Sequence, residues 1–334
     1  MNQDLLDSRI FAKLAISKLA AGGTPGAYEV YANSRWPGQG IIQRAAVPAI
    51  GSDDVNATAL GADVLRHVVK QSALGPMLGD VWRVNFQEAF NGAATGLGAN
   101  WTSELDPAPI SRTSLEKQVL ARLKIVGLSI FTNESLEAPN AESQIERALV
   151  QTTRDLLDQT FLAGSGFAGE TPGSIPQTAG VGTVAALSDP AASFRALVRD
   201  FSGQLSTSYF ITDHETAAQL ALYPASPFAD VGVRGGTIAG LPLIVSQSSP
   251  RDSAGGQVVL LDASRVAVAL GSIDVSRSSE SSIWMVDELD SNPELVGLFQ
   301  AEASALKIVV TANWLLMDAG ACRVLTGCDW APAV

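Results

Sequence analysis

Residues 139 to 164 read PNAESQIERALVQTTRDLLDQTFLAG, the longest helical pattern in the chain. Asn140 is placed to cap the first turn, Glu142 lies within that turn, and Gly164 stops the run. Ile145, Leu149, Leu156 and Phe161 mark the expected apolar stripe. A helix over residues 140–163 would be a rod of roughly 36 Å at ~1.5 Å per residue. That is longer than a small core requires, so the helix reads as a spine.

Around this spine the chain has few helices and many strand-like runs. Upstream, Asp80 to Phe86 alternates, a Gly/Ala-rich passage runs through Asn91 to Gly98, and Leu120 to Phe131 returns as a second β-like run. Two such runs joined by small residues describe a projecting hairpin, whose free backbone groups suit pairing. Further upstream, Leu60, Val64, Leu65, Val68 and Val69 define an amphipathic helix. Residues Ala21 to Asp54, rich in Gly, Pro, Asn and Ser, read as an extended arm. Leu6, Ile10 and Leu14 lie on one face of a first helix that is too charged for a secretion signal or a membrane span.

Downstream, a Gly/Ser/Pro loop to Gly182 marks a boundary. Pro190 follows Asp189 at the start of a helix bearing Phe194, Leu197, Val198 and Phe201. Asp213 caps another helix after the strand Ser208 to Thr212. Strands are expected at Leu241–Ser246, Gln257–Leu261, Val266–Leu270, Ile273–Arg277 and Ile283–Val286, and in one long run from Leu295 to Leu316.

The chain has 334 residues, 46% hydrophobic and 17% charged, and a net charge of −12. That length supports one elaborated domain or two modest ones. The acidic balance argues against a protein built to grip nucleic acid, but suits an acidic wall along which packaged DNA would slide. Low charge suggests a surface largely covered by partner subunits. Cys322 and Cys328 make no disulfide framework, and the chain reads as a soluble, cytosolic product with free, partly buried thiols.

Catalytic constellations are missing from the sequence. His67 lies beside an apolar helix face. His214 follows Asp213, which already has a capping role, and no Gly-x-Ser-x-Gly elbow supplies a serine for a triad. Cys322 and Cys328 lack the further ligands of a zinc site. Gly164 to Gly169 matches G-x-G-x-x-G by letter but follows a helix instead of a strand. Asp287 to Asp290 reads as a solvated loop without the glycine and spacing of a calcium site. The expectation is a protein that is not an enzyme, with no cofactor and no metal.

The order of elements resembles the major capsid protein family of tailed bacteriophages, with its Hong Kong 97-type fold. Ala99 to Glu104 is similar to the family's a-x-W-x-x-E on the hairpin, and Leu123 to Leu136 to its β run. Asp158 to Gly166 resembles D-x-x-F-L-x-G-x-G, Thr171 to Ile175 the P-x-G-i loop, Gly240 to Ser246 the G-x-P-v-v strand, and Gly271 to Arg277 a later strand. The matches keep their order over roughly residues 57 to 316.

The resemblance implies an α+β chain divided into an N-terminal arm (1–56), a peripheral-domain helix (57–81) and an extended β-hairpin loop (82–125). A peripheral domain (126–185) with spine helix 140–163, an axial domain (186–270), peripheral strands (271–316) and a C-terminal tail (317–334) would follow. It implies self-assembly into pentamers and hexamers of an icosahedral shell around double-stranded DNA, in a virion assembled in the host cytoplasm. The implied partners are further copies of the chain, a portal, a separate scaffolding protein and DNA bound without sequence preference; no membrane is implied. Trp101 and Glu104 are the expected intersubunit contacts. Lys117 lies on the returning side of the loop, but Arg277 to Trp284 holds no Asn, so Lys–Asn cross-links are not expected. An encapsulin-like nanocompartment shell around a cargo enzyme is the nearest alternative. An enzyme built on Asp213, His214 and Glu215 is the more distant one.

Overall fold

The computed structural model describes residues 69–92, 117–132, 134, 141–163, 171–223, 228–287 and 290–330. Their contacts divide the chain into two units. One comprises Met1–Gln71, Lys124–Asp155 and Leu270–Thr311, and the other Ser72–Leu123, Leu156–Ala269 and Ala312–Val334.

The second unit is built on an eight-stranded sheet. Its strands are β5 (Gly182–Ala185), β6 (Ser208–Thr212), β7 (Val231–Gly232), β8 (Gly235–Ile238), β9 (Leu241–Val245), β10 (Arg251–Asp252), β11 (Gly255–Asp262) and β16 (Cys322–Cys328). The order is β5-β16-β11-β6-β9-β8-β7, with β10 paired to β11. β11 is antiparallel to both β6 and β16, whereas β6 and β9 run parallel. Val258, Val259, Leu260 and Leu261 of β11 are wholly buried, as expected for a central strand covered on both faces. Pro242 causes no break in β9, because the pairing with β6 begins at Leu243. The β7–β8 hairpin depends on glycine: Gly236, in β8, has φ +153°, and a Cβ there would run into the Asp230 carbonyl oxygen.

Two capped helices cover this sheet. α2 (Pro190–Arg199) starts at Asp189, whose carboxylate accepts from the Ala191 and Ala192 amides at 3.1 and 3.2 Å, with Pro190 in the first turn. α3 (His214–Ala221) is capped by Asp213 in the same way. Between helices and sheet, Phe194, Leu197, Phe210, Leu220, Phe228, Val258, Leu260, Leu325 and Trp330 form one core cluster. The ring of Phe194 meets Phe210 edge-on at 5.2 Å.

The spine is helix α1 (Ala141–Leu162), which begins in the first unit and ends in the second. In the second unit its buried face is Leu157, Asp158, Phe161 and Leu162. Leu156, assigned to the apolar stripe from the sequence, is 38% exposed. The burying face follows the Leu157–Phe161 spacing, about one residue around the helix from Leu156. Phe161 packs edge-on against Trp314 at 5.5 Å, and Trp314 Nε1 donates to the Gly173 carbonyl.

In the first unit β4 (Lys124–Thr132) pairs antiparallel with β15 (Ala303–Leu316), in register from Lys124↔Thr311 to Thr132↔Ala303. β13 (Ser282–Asp287) and β14 (Asp290–Gly297) form a separate antiparallel hairpin, in which Asp287 pairs with Asp290. Two strand boundaries differ from expectation. β12 (Val266–Ser278) runs without a break through Gly271. The run from Leu295 to Leu316 is divided by a turn at residues 298–302, where Glu302 takes φ +47°.

The pairing of the projecting hairpin also differs. β1 (Trp82–Arg83) pairs in parallel with Ala267 and Val268 of β12, not with the returning run. The hairpin proper is β2 (Ala89–Asn91) against β3 (Lys117–Val119). Alternation marks extended backbone but does not name its partner, which is why the sequence paired the wrong runs.

Candidate assembly surface

Pairing within the β2–β3 hairpin sorts its side chains. Phe90 and Gln118 face each other on one side; Ala89 with Val119, and Asn91 with Lys117, lie on the other. The first side packs inward: Phe90 joins Val84, Phe86, Leu315 and Met317 around Leu120, Ala267 and Ala269. Arg122 holds its guanidinium 5.6 Å from the centre of the Phe86 ring. All four residues on the other side are exposed, and Val119 is 57% exposed. Trp82 stands beside the hairpin with its ring 6.3 Å from Phe90 and 46% of its surface exposed.

A second open surface belongs to β4. Among the described residues it pairs only with β15, and it presents Val126 and Leu128 half exposed. A nine-residue apolar edge strand is a template for further contact. Its run in the sequence indicated a strand; it could not indicate a free edge.

Trp101 and Glu104 lie outside the described residues, as do His67 and the glycines at 164–169. The other singled-out groups have structural roles. His214 is exposed at the start of α3, while Asp213 is buried and caps the helix through the Glu215 and Thr216 amides at 3.1 Å. Arg251 fixes this end, its Nη1 lying 3.2 Å from Asp213 Oδ2 and its Nη2 2.8 Å from Glu215 Oε1. Arg251 comes from a distant strand, and no local pattern marks it. The Asp213–Glu215 cluster is thus an arginine-clamped helix start.

Cys322 and Cys328 occupy opposite ends of β16, both free and buried. Six residue steps of strand separate them by about 20 Å, far beyond the ~7 Å limit for a disulfide. Burial pushes both thiols up to about 12. Raised thiol pKa values stabilise the fold fully below their unfolded-state titration, and the contribution is lost as pH climbs toward 12. A thiol-reactive disulfide reagent at pH 8 is therefore expected to label neither cysteine in the folded chain and both in denaturant; rapid native labelling would contradict the burial. No group of three potential metal ligands gathers among the described residues. No helix among them is long and apolar enough to cross a membrane.

No family model matches the sequence. The capsid polyprotein of Pseudomonas phage PAJU2 is 28% identical over 326 residues, covering 88% of this chain and 49% of that protein. The chain thus spans about half the length of this curated relative. Among solved structures, the Mycobacterium phage Adephagia protein aligns with TM-score 0.54 at 15% identity, over 76% of this chain and 89% of that one. The capsid of the native GTA particle aligns with TM-score 0.51 at 13% identity, over 75% and 88%. The fold is therefore the α+β Hong Kong 97-type capsid fold. In sequence the chain is similar to a phage capsid polyprotein, and in fold to the capsid of the GTA particle.

Proposed function

We propose that this chain self-assembles into pentamers and hexamers of an icosahedral shell enclosing the double-stranded DNA of a tailed phage. The observation that carries this reading is the capsid fold combined with 28% identity to a phage capsid polyprotein. The open surfaces support it. Among the described residues, the outward face of β2–β3 and the second edge of β4 leave apolar groups and backbone donors for a neighbour to cover. Different surfaces on one subunit make head-to-tail contacts, and these close into rings when the rotation permits.

The division at 1–56, 57–81, 82–125, 126–185, 186–270, 271–316 and 317–334 belongs to the same proposal, as do Trp101 and Glu104 as intersubunit contacts. So do a portal, a separate scaffolding protein and assembly in the host cytoplasm. The net charge of −12 fits a container that holds DNA without adhering to it.

Negative-stain electron microscopy with light scattering on the purified chain tests the reading. Hollow particles tens of nanometres across, or rings of five and six, are expected, with lower yield for Trp101→Ala. A monomer or dimer that stays so when coexpressed with a phage scaffolding protein would overturn it. Particles that carry a cargo protein in place of DNA would favour a nanocompartment.

A further inference from the structure

Asn91 ends β2 as an exposed side chain, and Gly92 follows it just outside the strand. It is the sole Asn–Gly step in the sequence, which contains no Asp–Gly step. A carboxamide carbon lies within reach of the next backbone nitrogen, and attack there closes a cyclic imide. A side chain on the following residue obstructs the attack and restricts its backbone; glycine does neither.

The hairpin places this step where it can react. β2 and β3 share only three pairs, Ala89↔Val119, Phe90↔Gln118 and Asn91↔Lys117. So short a hairpin is marginal by itself, and its hold on the unit is Phe90, packed with Val84 and Phe86 around Leu120. Asn91↔Lys117 is the terminal pair, the position where opening is easiest. Gly92 is buried, so its nitrogen meets the carboxamide when this pair parts. Lys117, directly opposite, supplies a cation that favours the deprotonated nitrogen needed for attack. The other charged groups of the two segments are engaged. Arg83 donates to the Leu78 carbonyl, Arg122 lies over the Phe86 ring, and Glu88 accepts from Asn85.

We propose that Asn91 is a self-modification site, which converts to aspartate or isoaspartate in chains that remain unassembled. The Gly92 nitrogen forms a bond to Asn91 Cγ, the Cγ–Nδ2 bond breaks, and ammonia leaves with the amide proton. Water then opens the imide at either carbonyl, and nothing is oxidised or reduced. Either product sets an anion opposite Lys117, and isoaspartate also lengthens the main chain by a methylene where the pairing ends. The outward face of the hairpin is altered in such a chain, and its fitness for assembly falls. Assembly would cover that face, hold the terminal pair shut and stop the reaction; this half rests on the self-assembly proposed above.

Peptide mass spectrometry of free subunits aged in warm, mildly alkaline buffer tests the site without requiring particles. The Asn91 peptide should gain the mass of amide-to-acid conversion at least about tenfold faster than those of Asn85 or Asn313, which precede aromatic residues. Phe90→Ala should speed conversion about tenfold by loosening the hairpin. Lys117→Gln should slow it about threefold, and Asn91→Gln should abolish it. Equal rates at Asn91 and Asn85 overturn the site. Within assembled particles conversion should be at least about tenfold slower than in free subunits. Aged wild-type subunits should lose particle yield that aged Asn91→Gln subunits keep. Conversion as fast in particles as in free subunits overturns the link to assembly and leaves the capsid reading standing. A chain that forms no particles under any condition overturns that reading and the link together, while the site stands or falls on the free-subunit rates.

Discussion

Replacing Asp158 by alanine is expected to destabilise the subunit by about 3 kcal/mol, a large share of the ~5–15 kcal/mol that holds a typical domain. Asp158 is 5% exposed. One carboxylate oxygen accepts from the Ala73 amide at 2.8 Å, the other from the Ser246 hydroxyl at 2.9 Å. It therefore joins the end of α1 to the turn after residue 72 and to the segment leaving β9, three pieces far apart in sequence. Alanine would leave a buried amide without this acceptor and open a polar void, where the cost is that of unsatisfied groups and exceeds that of the bonds themselves. Asparagine keeps one acceptor and should lose about half as much. Denaturant titration followed by tryptophan fluorescence measures this directly; midpoints within error of wild type for Asp158→Ala would show that the carboxylate is dispensable.

A comparable loss, about 3–5 kcal/mol, is expected for Phe194→Ala. Phe194 lies on the buried face of α2 and touches three other rings: Phe210 at 5.2 Å, Phe228 at 5.6 Å and Trp330 at 6.1 Å. Trp330 is itself held by a bond from its Nε1 to the Leu187 carbonyl at 2.8 Å, so the space cannot collapse freely around a truncated side chain. Leucine should recover most of the loss, since it refills most of the volume. Calorimetry of the unassembled chain separates this effect from any on assembly. A melting temperature unchanged in Phe194→Ala would mean that the cluster contributes little. Neither Asp158 nor Phe194 lies on the proposed contact surfaces, so both variants should impair shells only through the subunit's own stability.

Much of the local structure was legible without coordinates. Asn140 to Gly164 signals a long helix, and the helix runs from Ala141 to Leu162. Asp189-Pro190 and Asp213 mark helix starts, because a short carboxylate before a first turn satisfies amides that have no partner within the helix. The strands at Ser208–Thr212 and Leu241–Val245 stand out as apolar runs between turn residues. Asp213 is a helix cap, His214 is exposed, and Cys322 and Cys328 are buried free thiols.

Pairing was a different matter. The Asp80–Phe86 run and the Leu120–Phe131 run were matched to each other, yet the one joins β12 at Trp82–Arg83 and the other joins β15. Side-chain period fixes which face a strand buries, but partner choice depends on contacts made across more than a hundred residues of chain, and no local pattern encodes them. Arg251 goes unmarked in the sequence for the same reason. Exposure, a shared face and an ion pair exist only once distant segments meet. The sequence by itself determined where helices begin and end, which runs are extended, and the resemblance to phage capsid proteins, because these depend on caps, spacing and motif order. The tertiary structure alone decided which strand edges and which apolar side chains are left uncovered, since that depends on what the rest of the chain has already buried.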